Sequence, residues 1–239
     1  MPGAPLRIAH AFGNSRQLVE AALKHPIDMI EADVRLRNGR LWLGHDRRLP
    51  ILPVYIAWRS LEPPARGLFR FGPWQARFGL NPLPLEELLK MAGGCRLLLD
   101  LKQSHRSEDT TGFVETLAAS LRRFGRAASD SLCGDWPFLD AARRLLPEAR
   151  LYYSVGDRDG WQALVRRLNE GDNITGVSLR SDLFDGSSAG LLQSISVETL
   201  CWCVDDPVEA VRVTILGAGG IISNNLALLA GIGEATASG

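Results

Sequence analysis

The chain has 239 residues, 46% of them hydrophobic and 23% charged, which fits a soluble globular protein with one large α/β domain or two small ones. Lysine plus arginine and aspartate plus glutamate each number 27, so the net charge is zero. That balance argues against nucleic acid as a bulk electrostatic partner but leaves room for a local basic cluster around one phosphate. No apolar run is long enough to span a membrane and no signal peptide is apparent before Leu6. The four cysteines lie in or beside apolar runs, as buried thiols of a reducing compartment do, so a cytoplasmic protein is expected.

In chain order, a first apolar run, 6–9, ends at His10, and Ser15 is placed to cap a helix through Leu18, Val19, Ala22 and Leu23. A second strand is predicted over 29–34. Within it Glu31 and Asp33 are two apart, so an extended chain turns both carboxylates to one face, where they repel unless a cation or proton lies between them. Asn38-Gly39 suits a tight hairpin that returns to His45-Asp46, so 28–46 can deliver two oxygen ligands and an imidazole to one place. Residues 47–83 are rich in proline, with aromatic residues and arginines interleaved as in Phe69-Arg70-Phe71-Gly72-Pro73-Trp74, and read as an irregular inserted loop or small subdomain.

From Leu85 a regular alternation begins. Strands are predicted over 95–101, 129–133, 149–154, 174–178, 198–204 and 219–222, and helices over 85–92, 108–123, 136–145, 158–169, 205–213 and 224–230, while 180–195 shows no clear period. With the first two strands this makes eight alternating units, the pattern of a closed (β/α)8 TIM barrel with an insert of about 47–83 after the second strand, all in one domain. An open doubly wound sheet is the alternative, but no Gly-x-Gly-x-x-Gly follows the first strand. A barrel places its chemistry where strands end, and His10, the Glu31/Asp33 pair and the Asp100/Lys102 pair all fall there.

The segments Ile8-Ala9-His10-Ala11, Ile30-Glu31-Ala32-Asp33-Val34, Gly44-His45-Asp46 and Leu99-Asp100-Leu101-Lys102 together resemble the glycerophosphodiester phosphodiesterase family, relatives of the phosphatidylinositol-specific phospholipase C barrels. Leu83-Pro84-Leu85-Glu86-Glu87-Leu88-Leu89 is similar to the family's entry into its second helix. Leu200-Cys201-Trp202-Cys203-Val204-Asp205 resembles the strand that carries a pocket tryptophan, and Gly219-Gly220-Ile221-Ile222-Ser223-Asn224 resembles the last strand and its exit. The resemblance implies metal-dependent hydrolysis of glycerophosphodiesters to glycerol 3-phosphate and an alcohol. Two positions depart from it: Ala11 stands where the family has a phosphate-binding arginine, and Asp100 where glutamate is usual. Arg35, Lys102, Arg66, Arg70 and Arg77 are the candidates to replace the missing cation.

Alone, Glu31 and Asp33 read as solvated or salt-bridged acids; joined by Asp100 they form a three-carboxylate set suited to a hard cation, Mg²⁺ or Ca²⁺. His10 and His45 would share the acid and base roles of a phosphodiester displacement, in an order the sequence leaves open. His25 and His105 read as structural or solvated. Lys102 either neutralises phosphate oxygens or pairs with the neighbouring acids, and Asp46 fixes the hairpin or orients His45. Trp202, facing inward, would turn Cys201 and Cys203 outward to pack under helices. The aromatic and basic stretch 66–78 reads equally as a cap that touches a lipid substrate and as a loop tied down by its own side chains. A phospholipase-D-like enzyme of lysophospholipids and a ligand-binding barrel with little or no activity are the competing functions.

Overall fold

The computed structural model describes residues 3–44, 83–102 and 109–232 in full, and the backbone of 47–48, 54–58, 68–71 and 74–78. Eight strands form a closed parallel barrel: β1 (Leu6–Ala9), β2 (Met29–Arg37), β3 (Arg96–Leu101), β4 (Ser131–Gly134), β5 (Arg150–Val155), β6 (Gly176–Arg180), β7 (Glu198–Trp202) and β8 (Gly220–Ser223). Each pairs with the next in parallel, and β8 closes on β1 with Leu6 opposite Gly220 and Ile8 opposite Ile222. The surrounding helices are α1 (Arg16–Ala22), α2 (Leu85–Met91), α3 (Thr110–Arg123), α4 (Trp136–Leu145), α5 (Arg158–Asn169), α6 (Gly186–Ser194), α7 (Pro207–Ile215) and α8 (Leu226–Gly231). The TIM-barrel expectation therefore holds.

Strand periodicity divides the apolar residues between two cores. Ile8, Met29, Leu98, Cys133, Tyr152, Leu200 and Ile222 fill the barrel interior. Their strand neighbours Ala9, Ile30, Leu97, Leu99, Leu132, Tyr153, Cys201 and Ile221 point outward and join the inner faces of the helices, such as Phe113 and Leu117 of α3 and Leu139 of α4. A strand buried on both sides reads as an unbroken apolar run, as Leu97-Leu98-Leu99 does. Each such leucine stabilises the fold by about 1.5–3 kcal/mol through burial.

Helix starts explain the shifts from the expected boundaries. The seventh helix begins two residues late because Asp206 caps it by accepting from Glu209 N–H at 3.2 Å and Pro207 occupies its first turn. Asn225 likewise caps α8 through Leu228 N–H at 3.1 Å. Segment 180–195, which had no clear period, holds a short 3-10 turn, Ser181–Leu183, and then α6. A reciprocal capping box between Asp185 and Ser188 starts that helix, a polar signal that apolar periodicity does not register.

Three details correct the sequence reading. β2 runs on to Arg37 and pairs with Arg40–Leu43 in an antiparallel hairpin, turning at Asn38 and Gly39, whose φ angles are 49° and 71°. The insert is not irregular: 47–48, 54–58, 68–71 and 74–78 form a four-stranded antiparallel sheet. The alternation Phe69-Arg70-Phe71 and Trp74-Gln75-Ala76-Arg77-Phe78 is a strand pattern that the prolines around it obscured. Finally, β7 ends at Trp202, so only Cys201 packs under the helices, and Cys203 is exposed in the loop beyond. Among the described residues no helix is long and apolar enough to cross a membrane.

Candidate active site

The alternation that fills the barrel with apolar groups lower down turns acids inward at its upper rim. Met29, Glu31 and Asp33 share the inner face of β2, and Asp33 lies level with Asp100 of β3. Ligand oxygens of Glu31, Asp33 and Asp100 all lie within 4.8 Å of one another. Glu31 and Asp33 are only 2% and 1% exposed, so they are not the solvated strand-end acids that either residue alone would suggest.

The backbone around them is shaped for close approach. Gly13, in the turn after β1, sits against β2, where an added Cβ would fall 2.4 Å from Ala32 Cβ. Gly134, at the end of β4, sits against Asp100 Oδ1, where a Cβ would fall at 2.5 Å. Ala11 adopts a left-handed conformation, φ 60° and ψ 6°, which costs an L-residue about 1–2 kcal/mol. This aims its N–H at Glu31 Oε2, 2.5 Å away. Asn14 holds Asp33 at two points, its Nδ2 donating to Oδ2 at 2.8 Å and its Oδ1 accepting from Asp33 N–H at 2.9 Å.

Lys102 Nζ lies 2.6 Å from Asp100 Oδ2 and 3.7 Å from Asp33 Oδ1. Among the described residues this one ammonium is the basic group paired with the three carboxylates, and the buried oxygens Glu31 Oε1 and Asp100 Oδ1 have no hydrogen-bond partner. Burial, followed by the charges of Asp33 and Asp100, pushes the Glu31 carboxyl well above the usual range. Burial also raises Asp100, although Lys102 opposes the shift. Burial acts to lower the Lys102 ammonium, but Asp100 and Asp33 more than reverse this and hold it strongly protonated. Two partnerless oxygens in an all-oxygen cluster of three carboxylates fit a hard divalent cation.

His10 follows β1 directly, and its N–H continues the barrel ladder to Ser223 O at 2.9 Å. Its Nε2 is 3.9 Å from Glu31 Oε2, and its Nδ1 is 3.0 Å from Asn224 Oδ1. Trp202 is at the end of β7 on the inner face, packed on the interior core, with its indole N–H donating to Ser178 O at 3.1 Å. Its ring edge lies over Gly156, where a Cβ would be 3.4 Å from the indole. Arg35 lies beyond Asp33 on β2 and its Nε donates to Gly44 O at 3.1 Å.

His45 and Asp46 lie outside the described residues, as do His105, Arg66 and the side chains of Arg70 and Arg77. Gly44, the residue before His45, donates its N–H to Asp33 O at 3.0 Å. The structure thus gathers His10, Glu31, Asp33, Asp100 and Lys102, sets Trp202 on the same rim, and leaves His25 exposed at the end of α1. Sequence reasoning did not single out Asn14, Asp205 or Asn224, which hold these groups in place. Their polar types at strand exits were the available signal.

No protein-family model matches the sequence, and no curated protein matches it significantly. Among solved structures, a glycerophosphodiester phosphodiesterase from Parabacteroides distasonis superposes with a TM-score of 0.72 at 15% identity, over 98% of this chain and 99% of that one. A phosphodiesterase from Oleispira antarctica, solved with the product sn-glycerol-3-phosphate, gives 0.70 at 18% identity over 98% of each chain. A calcium-dependent phosphoinositol-specific phospholipase C from Pseudomonas gives 0.57 at 12% identity, over 96% of this chain and 92% of that one. The chain therefore has the fold of the glycerophosphodiester phosphodiesterases and their phospholipase C relatives.

Proposed function

We propose that this protein is a metal-dependent phosphoric diester hydrolase that converts glycerophosphodiesters to glycerol 3-phosphate and an alcohol. The observation that carries the proposal is the pair of buried, partnerless oxygens, Glu31 Oε1 and Asp100 Oδ1, in a three-carboxylate cluster beside His10. The product-bound Oleispira phosphodiesterase supports the substrate class, and the calcium dependence of the Pseudomonas phospholipase supports Ca²⁺ beside Mg²⁺ as the cation to test.

Glu31, Asp33 and Asp100 would hold the cation, which when bound supplies charge neutralisation and Lewis-acid polarisation at a phosphate oxygen. Lys102 adds a second positive charge at the same rim and offsets the charge that develops on the phosphoryl oxygens. His10 exchanges a proton through Nε2, and His45 supplies the complementary acid or base, so that one group deprotonates the attacking oxygen and the other protonates the departing alkoxide. Water as the attacking group gives glycerol 3-phosphate directly. Trp202 walls the pocket across the rim. Ala11 offers no cation to the phosphate and its N–H is already committed to Glu31, so Lys102 is the basic group left within the carboxylate cluster among the described residues.

Purified protein incubated with glycerophosphodiesters and Mg²⁺ or Ca²⁺ should release glycerol 3-phosphate, read by ³¹P NMR. EDTA should stop turnover, and His10→Ala should lower it about 10²–10⁴-fold. Absence of turnover across glycerophosphodiesters and lysophospholipids with several divalent cations would overturn the hydrolase reading in favour of a ligand-binding barrel. Turnover of lysophospholipids alone would move the assignment to the phospholipase-D-like class.

A further inference from the structure

The insert that follows the β2 hairpin differs in composition from the rest of the chain. Residues 47–83 hold six arginines, Arg47, Arg48, Arg59, Arg66, Arg70 and Arg77, and one acid, Glu62. They therefore carry a charge of +5 in a protein whose net charge is zero, and the remaining residues together carry −5. Six aromatic residues lie in the same stretch: Tyr55, Trp58, Phe69, Phe71, Trp74 and Phe78.

Strand pairing sorts these residues between the two faces of the four-stranded sheet. Across strands 54–58, 74–78 and 68–71, Trp58 stands opposite Trp74 and Trp74 opposite Phe71; Ile56 stands opposite Ala76 and Ala76 opposite Phe69; Val54 stands opposite Phe78. Directly opposed residues share a face, and every second residue along a strand returns to it, so these rows form one face without a polar residue. The edge strand adds Arg47 to that face, opposite Ile56. On the other face Arg77 stands between Tyr55 and Leu68, Gln75 between Ala57 and Arg70, and Arg48 opposite Tyr55. One face is thus apolar and rich in aromatic residues, the other is basic, and neither carries an acid.

An apolar face alone does not name what covers it, but the charge does. A sheet that only packs on its own barrel gains nothing from +5, since like charges repel and an ordinary solvated face mixes signs. Single-stranded nucleic acid needs aromatic residues and arginines on one face, so that bases stack while phosphates are held, and here most of the arginines of the sheet lie on the face opposite the tryptophans. An anionic bilayer matches both faces. An element lying in its interface sinks the apolar face by about 5–10 Å, which brings the opposite face to the level of the lipid phosphates. Tryptophan collects at that interface. We propose that the 47–83 insert is a membrane-docking element: its apolar sheet face enters the interface of an anionic lipid bilayer and its arginines meet the lipid phosphates. Both ends of the insert leave the barrel at the rim that carries the carboxylates, since Gly44 N–H donates to Asp33 O at 3.0 Å and Leu83 pairs with Leu43. The docking inference goes beyond the hydrolase reading and does not rest on it.

The test is flotation of the purified full chain with vesicles of phosphatidylcholine, with and without phosphatidylglycerol, at low and high salt. Binding should need phosphatidylglycerol and should weaken as salt screens the surface. Arg70→Gln with Arg77→Gln should lower the affinity about 30-fold, from about fivefold for each arginine. Phe71→Ser with Trp74→Ser should lower it about tenfold or more. Lipids brominated on their acyl chains should quench the wild-type tryptophan fluorescence, and Trp58→Phe with Trp74→Phe should remove the quenching while binding persists. Absence of binding to anionic vesicles, or binding that the arginine and the aromatic substitutions both leave unchanged, would overturn the proposal. Self-association, or capture of a single-stranded RNA oligonucleotide, in a protein that ignores vesicles would overturn it in favour of that partner. A lower Tm in the Phe71/Trp74 variant with vesicle binding intact would show the face packed on the protein itself, and would also overturn it. Should that variant fail to fold, the arginine pair and the quenching measurement carry the test. If no phosphodiester is hydrolysed at all, the functional reading falls while flotation still decides the docking.

Discussion

Asp130, just before β4, and Asp100, on β3, are both carboxylates shielded from water with a basic group close by, Arg126 at 2.7 Å and Lys102 at 2.6 Å. Around Asp130 the hydrogen bonding is complete. Arg126 grips both oxygens, Leu97 N–H adds a third bond at 3.0 Å, and the remaining guanidinium donors reach Gly93 O and Cys95 O at 2.7 Å each. Around Asp100 one oxygen takes the ammonium and the other has no donor, as does one oxygen of Glu31. A closed ion pair has no place for a ligand, whereas an open one is finished only by something that binds. What separates the two acids is whether their acceptors are filled, since burial raises both Asp130 and Asp100.

Removing one partner from each cluster should break the comparison most visibly. Asp130→Ala leaves the Arg126 guanidinium buried and unpaired, and should cost about 3–5 kcal/mol in urea unfolding with turnover per folded molecule unchanged. Asp100→Asn should do the reverse. It relieves carboxylate crowding, so stability without divalent cations stays near wild type or rises, while turnover collapses. Cation binding gives the next largest effect. At about 100 times its dissociation constant Mg²⁺ or Ca²⁺ should stabilise the wild type by about 2.7 kcal/mol, seen as a rise in Tm, and this rise should be absent in Asp100→Asn.

The pH dependence sharpens the same contrast. Folded-state carboxyls raised above their ordinary values of 4.5 for Glu31 and 3.8 for Asp100 take up protons before the unfolded chain does. In EDTA these groups should therefore make stability rise as pH falls through the raised values towards about 4.5. Asp172, lowered against the tendency of burial by hydrogen bonds from Arg143 and Arg167, acts in the opposite sense, and its contribution is lost only as pH falls below 3.8. Asp130 adds a gain of the same sign as Glu31, but a divalent cation should abolish only the part that comes from the rim. Equal acid stabilisation with and without the cation would disprove a metal site. The smallest effect is expected at Asn14: Asn14→Ala frees Asp33 to move and should weaken cation affinity about 10–100-fold by calorimetry, with little change in stability.

Residues that work through strand geometry were legible in the sequence. The spacing of two in Glu31/Asp33 and Asp100/Lys102 is the strand period itself, so a common direction could be inferred before any fold was known. Asn14, Asp205 and Asn224 act through turns, where spacing along the chain says nothing of direction. Asn224 and His10 are separated by 214 positions in sequence and meet only because β8 closes on β1. Alternation was visible yet overruled by proline in the insert, and α6 was hidden because Asp185 and Ser188, not apolar period, announce it. The depth of the carboxylates was also illegible, since a charged side chain is ordinarily read as exposed.

Lys102 gives the cluster a property that the carboxylates alone would lack. With its ammonium resting on Asp100 and reaching Asp33, it serves as an internal counterion that travels with the polypeptide. Folding would then not wait for the proposed cation, which would join a charge already tethered to the chain: EDTA should leave the barrel folded by circular dichroism while it stops turnover.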